Sequence, residues 1–167
     1  LQDQLNTYHP GLSRYCDKNK LKDAFEEVVS TGAMNDHEIY ANTRKLISMI
    51  GCGHTRAQMS DSMSSHFKVD QVVMPFTVIF LNGKVFIKKT LNSQLKPGQE
   101  IKSINGMAIQ KVKEEMLQYI PADGYILTGK ERRAALFFGT YYQLFIAPKA
   151  TSYQLELEDS TGENSSV

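Results

Sequence analysis

The sequence contains no tryptophan, two cysteines and five prolines among its 167 residues. Cys16 and Cys52 allow at most one disulfide, so the fold cannot depend on a disulfide framework. We favour two free, half-buried thiols over one disulfide. An excess of charge is also lacking, since 19 Lys and Arg against 18 Asp and Glu give a formal net charge of +1. The sequence also lacks the basic stripe that is typical of nucleic-acid-binding proteins, so we predict no nucleic-acid partner.

Long hydrophobic runs are absent as well. The longest nearly unbroken apolar run, residues 72–81, contains a proline. A helix that spans a bilayer needs about 20 apolar residues, so we predict no transmembrane segment. The overall composition, 41% apolar and 22% charged, is typical of globular domains and excludes disorder of the whole chain.

The first 66 residues have helical periodicity. An apolar stripe begins after Asn19, with residues at spacings of four, seven and eight: Leu21, Phe25, Val28 and Val29. A second helix is predicted to start at Asn35, since Glu38 stands three residues later as a capping-box partner. Residues 57–66 are weakly patterned and predict either a loop or an irregular helix. We therefore assign residues 1–66 to a helical N-terminal region.

The rest of the chain mixes strands with helices. Asn82-Gly83 lies between two runs of β-forming residues and predicts a hairpin, and Asn105-Gly106 predicts a second tight turn. Helices are expected near residues 108–120 and 129–146, the second capped by Thr128 with Glu131 as its partner. A final strand is predicted because Tyr153, Leu155 and Leu157 alternate with polar residues. Helices in a block, followed by strands with inserted helices, predict an α+β fold.

One histidine is a candidate for chemistry. His54 follows Gly51-Cys52-Gly53, which predicts a helix end running into a sharp turn. An exposed, ordered histidine is a candidate general base, because its ordinary pKa lies near neutrality. The alternative is that the glycines simply end the helix and His54 bonds to the carbonyl groups there.

Metal and nucleophilic chemistry have little support in the pattern. Cys52, His54, His37 and His66 match no zinc spacing, so we predict no metal site and no cofactor. No serine stands in a Gly-x-Ser-x-Gly turn between a strand and a helix. Side chains two residues apart, as in Cys52 and His54, need not face each other.

The most specific stretch is residues 95–106, a Pro-Gly turn, a short strand and an Asn-Gly turn. It resembles the "kpGDeIlsINGxxv" stretch of PDZ domains. Together with the Gly-x-Gly-His-Thr motif at residues 51–55 and Ile-Pro-Ala-Asp-Gly at residues 120–124, it resembles the tail-specific, or carboxyl-terminal processing, serine proteases. The likeness is to the bacterial envelope subgroup and covers roughly residues 9–157. In tricorn-like relatives a histidine of the helical region acts as general base, and His54 stands at the matching motif.

This resemblance implies a PDZ-like domain over residues 67–157. Residues 158–167 are rich in Ser, Thr, Gly and Glu and have no apolar pattern, which predicts a linker or trimmed end. The resemblance also implies a periplasmic, cell-envelope or secreted location, and a serine nucleophile in a downstream catalytic domain, so that this chain alone would not hydrolyse peptides. Peptide or protein C-terminal tails would bind by strand addition. The candidate peptide-binding residues are Phe76, Val78, Phe80, Val112 and Met116. Two alternatives stay open: these side chains form the core, and the chain is a stand-alone peptide-binding or scaffolding module.

Overall fold

Helices come first along the chain, and an antiparallel sheet follows them. The computed structural model describes residues 1–70 and 73–167, and within these ranges it contains helices and a six-stranded sheet. The predicted α+β class is therefore confirmed. The residues fall into two compact units: Leu1–Val69 with Gln118–Lys130, and Asp70–Leu117 with Glu131–Val167.

The division between the units differs from the predicted boundary at residues 66 and 67. Residues 118–130, expected within the PDZ-like domain, belong to the first unit. Two hydrogen bonds to α3 (Asp36–Met49) show why. The Arg44 Nε donates to the Tyr119 carbonyl at 3.1 Å, and the buried Ser48 hydroxyl donates to the Ile120 carbonyl at 3.0 Å. Pairings across more than 70 residues leave no local signal.

Four helices begin in the first unit before residue 71: α1 (Gln2–Tyr8), α2 (Lys18–Ser30), α3 and α4 (Asp61–Asp70). The capping box predicted at Asn35 and Glu38 is present and begins α3. The Asp17 carboxylate caps α2 and accepts hydrogen bonds from two backbone N–H groups. α1 was not predicted, because its only buried side chain is Leu5 and one residue makes no stripe. Leu5 joins the core formed by α2 and α3.

The sheet belongs to the second unit. Its strands are β1 (Phe76–Leu81), β2 (Lys84–Thr90), β3 (Glu100–Ile104), β4 (Met107–Ala108), β5 (Leu155–Glu158) and β6 (Asn164–Ser166). The order is β1-β2-β3-β5-β6, and β4 pairs with β3. Both Asn-Gly turns are confirmed, since Asn82 and Asn105 adopt φ of 50° and the following glycines also have positive φ. Such angles match the right-handed twist of the strands.

The helices of the later part of the chain are α5 (Ile109–Leu117), α6 (Leu127–Leu136) and α7 (Phe138–Tyr141), followed by a π-helical turn, Tyr142–Ile146. The single helix predicted over residues 129–146 is therefore three shorter elements. α6 begins at Leu127, so Thr128 lies inside the helix and does not cap it. Its expected partner Glu131 instead forms an ion pair with Lys113 at 2.5 Å.

The last ten residues are not simply a linker. β6 lies in this segment and pairs with β5, and the backbone groups of Leu155 and Val167 exchange two hydrogen bonds at 2.7 and 3.0 Å. The Asp159 carboxylate shapes the turn by accepting from the Thr161 and Glu163 N–H groups. The strand gave no signal in the sequence because β6 exposes all its side chains, and backbone pairing needs no apolar pattern. Among the residues described, no helix has the length and apolar character needed to span a membrane.

Candidate functional site

The turn after α3 presents His54 to solvent, as the glycine pattern predicts. Gly51 follows the end of the helix and adopts a φ of +69°, a left-handed conformation that favours glycine. A Cβ at Gly51 would lie 2.9 Å from the Tyr15 Cβ, so the position also requires the smallest side chain. The Gly124 N–H donates to the Gly51 carbonyl at 2.8 Å and ties residues 123–125 to the turn. The His54 side chain is 87% exposed.

Asp123 is the partner that sequence reasoning did not assign. Its Oδ1 accepts the Gly53 N–H at 2.8 Å and lies 3.6 Å from the His54 Nδ1. The second distance is slightly longer than a hydrogen bond. A Cβ at Gly53 would lie 3.2 to 3.4 Å from the carboxylate atoms, so a larger residue there would displace Asp123 by a few tenths of an ångström. The turn therefore places a carboxylate beside the imidazole.

A chain of hydrogen bonds reaches Cys52 from the other side. The Gly11 N–H donates to the His9 Nδ1 at 3.2 Å, and the His9 Nε2 lies 2.9 Å from the Thr55 Oγ1. In the neutral ring Nδ1 is then the acceptor, so Nε2 carries the proton and donates to Thr55. Because the Thr55 oxygen accepts this hydrogen bond, its hydroxyl hydrogen is available to the Cys52 sulfur. The hydrogen bond between Thr55 and Cys52 lowers the pKa of the Cys52 thiol below its ordinary value, although burial opposes the shift.

Both cysteines are free thiols, as predicted, but they differ in character. Burial and the neighbouring Asp17 carboxylate raise the pKa of Cys16, whereas the pKa of Cys52 is lowered. The thiolate is the form that reacts and binds metals. Cys52 is therefore the thiol of this pair that is suited to chemistry.

These groups line one cleft of about 470 Å³ within the first unit. Its wall includes His9, Arg14, Tyr15, Cys52, His54 and Asp123. An accessible imidazole beside a carboxylate can accept and return a proton. Three potential metal ligands also meet here. Among the described residues, Cys52, His54 and Asp123 each contribute one ligand atom, and these three atoms lie within 4.8 Å of one another. Of the other histidines considered for a metal site, His37 lies on α3 and His66 on α4.

The five candidate peptide-binding residues lie in the second unit, and most of them are interior. Phe76, Val78, Val112 and Met116 are at most 7% exposed. Phe80 is half-buried, and its ring meets the Phe138 ring edge-on at 6.2 Å between centroids. The burial of these four side chains agrees with the alternative that they form part of the core. α7 packs against β1, and the π-helical turn packs against α5.

The site also contains residues that the sequence analysis passed over. Asp123 and Thr55 were named only as members of the motifs at residues 120–124 and 51–55, and His9 was given no role. One signal was available for Asp123, since it belongs to the Ile-Pro-Ala-Asp-Gly segment that contributes to the family resemblance. His9 carried no signal, because its contact with Thr55 joins residues 46 positions apart.

Comparison with known proteins shows the fold. No protein-family model matches the chain, and no curated protein matches it. Solved structures of CPAF, a chlamydial serine protease, are similar to it. The mature CPAF complex with lactacystin has a TM-score of 0.63 at 12% identity, over 90% of this chain and 28% of the CPAF chain. Mature CPAF gives 0.58 at 14% identity, over 99% and 33% of the two chains. A serine-to-alanine CPAF mutant gives 0.59 at 16% identity, over 99% and 32%. This chain thus spans about a third of those chains.

Proposed function

We propose that this chain is the N-terminal and PDZ-like part of a serine endopeptidase of the carboxyl-terminal processing type. The observation that carries the proposal is the pairing of an exposed His54 with Asp123 in the first-unit cleft. The fold supports it, because the chain is similar to a segment of a serine protease. In this proposal the nucleophilic serine belongs to a downstream catalytic domain, and this chain alone does not hydrolyse peptides.

Each group has a definite task in the proposed reaction. Asp123 is a positioning residue that orients the imidazole through the His54 Nδ1 side, and the Gly53 N–H fixes the carboxylate. The His54 Nε2 would take the proton of the serine hydroxyl as that oxygen attacks the scissile carbonyl. The same nitrogen would then give the proton to the leaving amine. Such an assignment needs no cofactor.

The substrates of such an enzyme would be peptide or protein C-terminal tails, and its location the periplasm, cell envelope or exterior. Both parts of this proposal rest on the family resemblance of residues 51–55, 95–106 and 120–124. The intact mass of the protein in its own cell tests the whole assignment first. The proposal expects a mass above 18.8 kDa by at least one domain, on the order of 100–200 residues. A mass near 18.8 kDa would leave no room for the serine and would refute it.

The role of His54 is tested in the full-length natural protein by His54→Ala. Positioned proton transfer contributes about 10²–10⁴-fold, so turnover of an unstructured peptide should fall by that factor. The matched control is His66→Ala, which removes an exposed histidine of the same unit whose Nδ1 lies 2.8 Å from the Ser62 carbonyl of its own helix. Equal rates for the two variants would exclude His54 as the base.

A second candidate function is peptide binding without hydrolysis. The favouring observation is that β1 ends the strand order, so one of its edges has no strand partner among the described residues. A peptide could add there and reach the half-buried Phe80, the member of the candidate set that is least covered. Phe80→Ala should weaken binding of a peptide with an apolar C-terminus. The control is Phe86→Ala, which removes an equally half-buried ring from the other face of the hairpin. Equal effects would contradict a groove at Phe80.

A further inference from the structure

The cluster beside His54 contains one donor of each kind that zinc-class ions accept. Cys52 offers sulfur, His54 a ring nitrogen and Asp123 a carboxylate oxygen, and these atoms lie within 4.8 Å of one another. Bonds of about 2.0–2.3 Å at tetrahedral angles hold ligand atoms about 3.3–3.7 Å apart. The 3.6 Å between the His54 Nδ1 and the Asp123 Oδ1 already lies in this range. The Cys52 sulfur lies within 4.8 Å of the other two ligand atoms and would move closer to them on binding.

Outer groups support the donors in the way that metal sites require. The Gly53 N–H holds the Asp123 carboxylate, which keeps further lone pairs for an ion. The His9 Nε2 lies 2.9 Å from the hydroxyl of Thr55, which belongs to the same turn as Cys52 and His54. Hydrogen bonds from outside a site orient its ligands and raise metal affinity by about 10–100-fold. The open cleft leaves a fourth position for water.

We propose that Cys52, His54 and Asp123 bind a divalent transition-metal ion of the zinc class, and that this ion keeps His54 from accepting a proton. A thiolate in the set favours zinc or cobalt over magnesium or calcium, which prefer oxygen ligands. The second half of the proposal rests on the proposed function, because it needs His54 to be the general base. The first half concerns this chain alone.

Titration of this chain with Co²⁺ tests the metal site directly. A cobalt ion bound by a thiolate gives a charge-transfer absorption in the near ultraviolet, and Zn²⁺ should displace it. Cys52→Ser should abolish this band, whereas Cys16→Ser, the matched control, should leave it unchanged. His54→Ala removes a side chain that is 87% exposed, so it should preserve the fold and weaken Co²⁺ binding at least about tenfold. Circular dichroism checks that each variant is folded.

The outcomes separate the two halves. The absence of a Co²⁺ charge-transfer band in the unaltered chain, or its loss in Cys16→Ser but not in Cys52→Ser, overturns the metal site. If the site binds Zn²⁺, the full-length peptidase should lose activity over the same concentration range. Full activity at saturating Zn²⁺ would overturn the regulatory half. If this chain binds Co²⁺ through Cys52 but the natural protein has no peptidase activity, the metal site stands and the proposed function is refuted.

Discussion

The Gly51 position allows a quantitative test of how the candidate site is built. Gly51 and Gly32 occupy equivalent positions, each one residue beyond the C-cap of a helix, with φ of +69° and +84°. They differ in their surroundings. A Cβ at Gly32 meets nothing within 4 Å, whereas a Cβ at Gly51 would lie 2.9 Å from the Tyr15 Cβ. Both glycines belong to the first unit, so the same unfolding reaction reports on both.

The expected free energies follow from this difference. Gly32→Ala should cost about 1–2 kcal/mol, the penalty for a side chain in the left-handed region. Gly51→Ala carries the same penalty plus an overpacking term of about 1–3 kcal/mol, since the clash involves two Cβ atoms close to the backbone. The free energy of unfolding should therefore fall by about 2–5 kcal/mol in Gly51→Ala. The difference between the variants isolates the Tyr15 contact.

The assay is denaturant unfolding of both variants, followed by circular dichroism because the chain has no tryptophan. If the slope of the unfolding free energy against denaturant concentration is the same in both variants, the difference between their denaturation midpoints gives the difference in stability. Gly51→Ala should also alter the turn that carries His54, which amide chemical shifts of residues 51–55 would reveal. Equal losses in the two variants would refute the reasoning, because the Tyr15 contact would then contribute nothing.

Two further predictions concern positioning and acid stability. Gly53→Ala adds a Cβ 3.2 Å from the Asp123 carboxylate. Under the proposed function it should lower kcat of the full-length protein for an unstructured peptide by roughly tenfold with little change in KM, and an unchanged kcat would contradict the positioning role. Burial raises the pKa of Glu100, but hydrogen bonds from Lys84 and Lys102 outweigh it, so the folded pKa is lowered. The resulting stability is present above the ordinary glutamate pKa of about 4.3 and is lost as the pH falls through the lower folded pKa. Glu100→Gln should reduce stability at pH 7 by on the order of 1–3 kcal/mol and flatten its decline in acid, as unfolding from pH 7 to 3 would measure; an unchanged acid dependence would argue against it.

Features set by neighbouring residues could be predicted from the sequence. The capping box at Asn35 and Glu38 and the two Asn-Gly turns involve contacts over a few residues, and their backbone angles are properties of those residue types. The exposure of His54 follows in the same way from the glycines that end α3. Alternating and helical apolar patterns were enough to give the α+β class.

Tertiary structure alone decided which chemical groups share the site. Asp123 meets Gly53 across 70 residues, and His9 meets Thr55 across 46. Neither approach has a local pattern, because the first joins the turn after α3 to the stretch between β4 and β5, and the second joins the end of α1 to the same turn. The same reason explains why α1 and β6 were not predicted. It also explains Val112 and Met116: the apolar face of α5 indicates that they are buried, but not which element buries them. The sequence by itself determined where the chain turns and which faces are apolar; packing decided what those faces and turns meet.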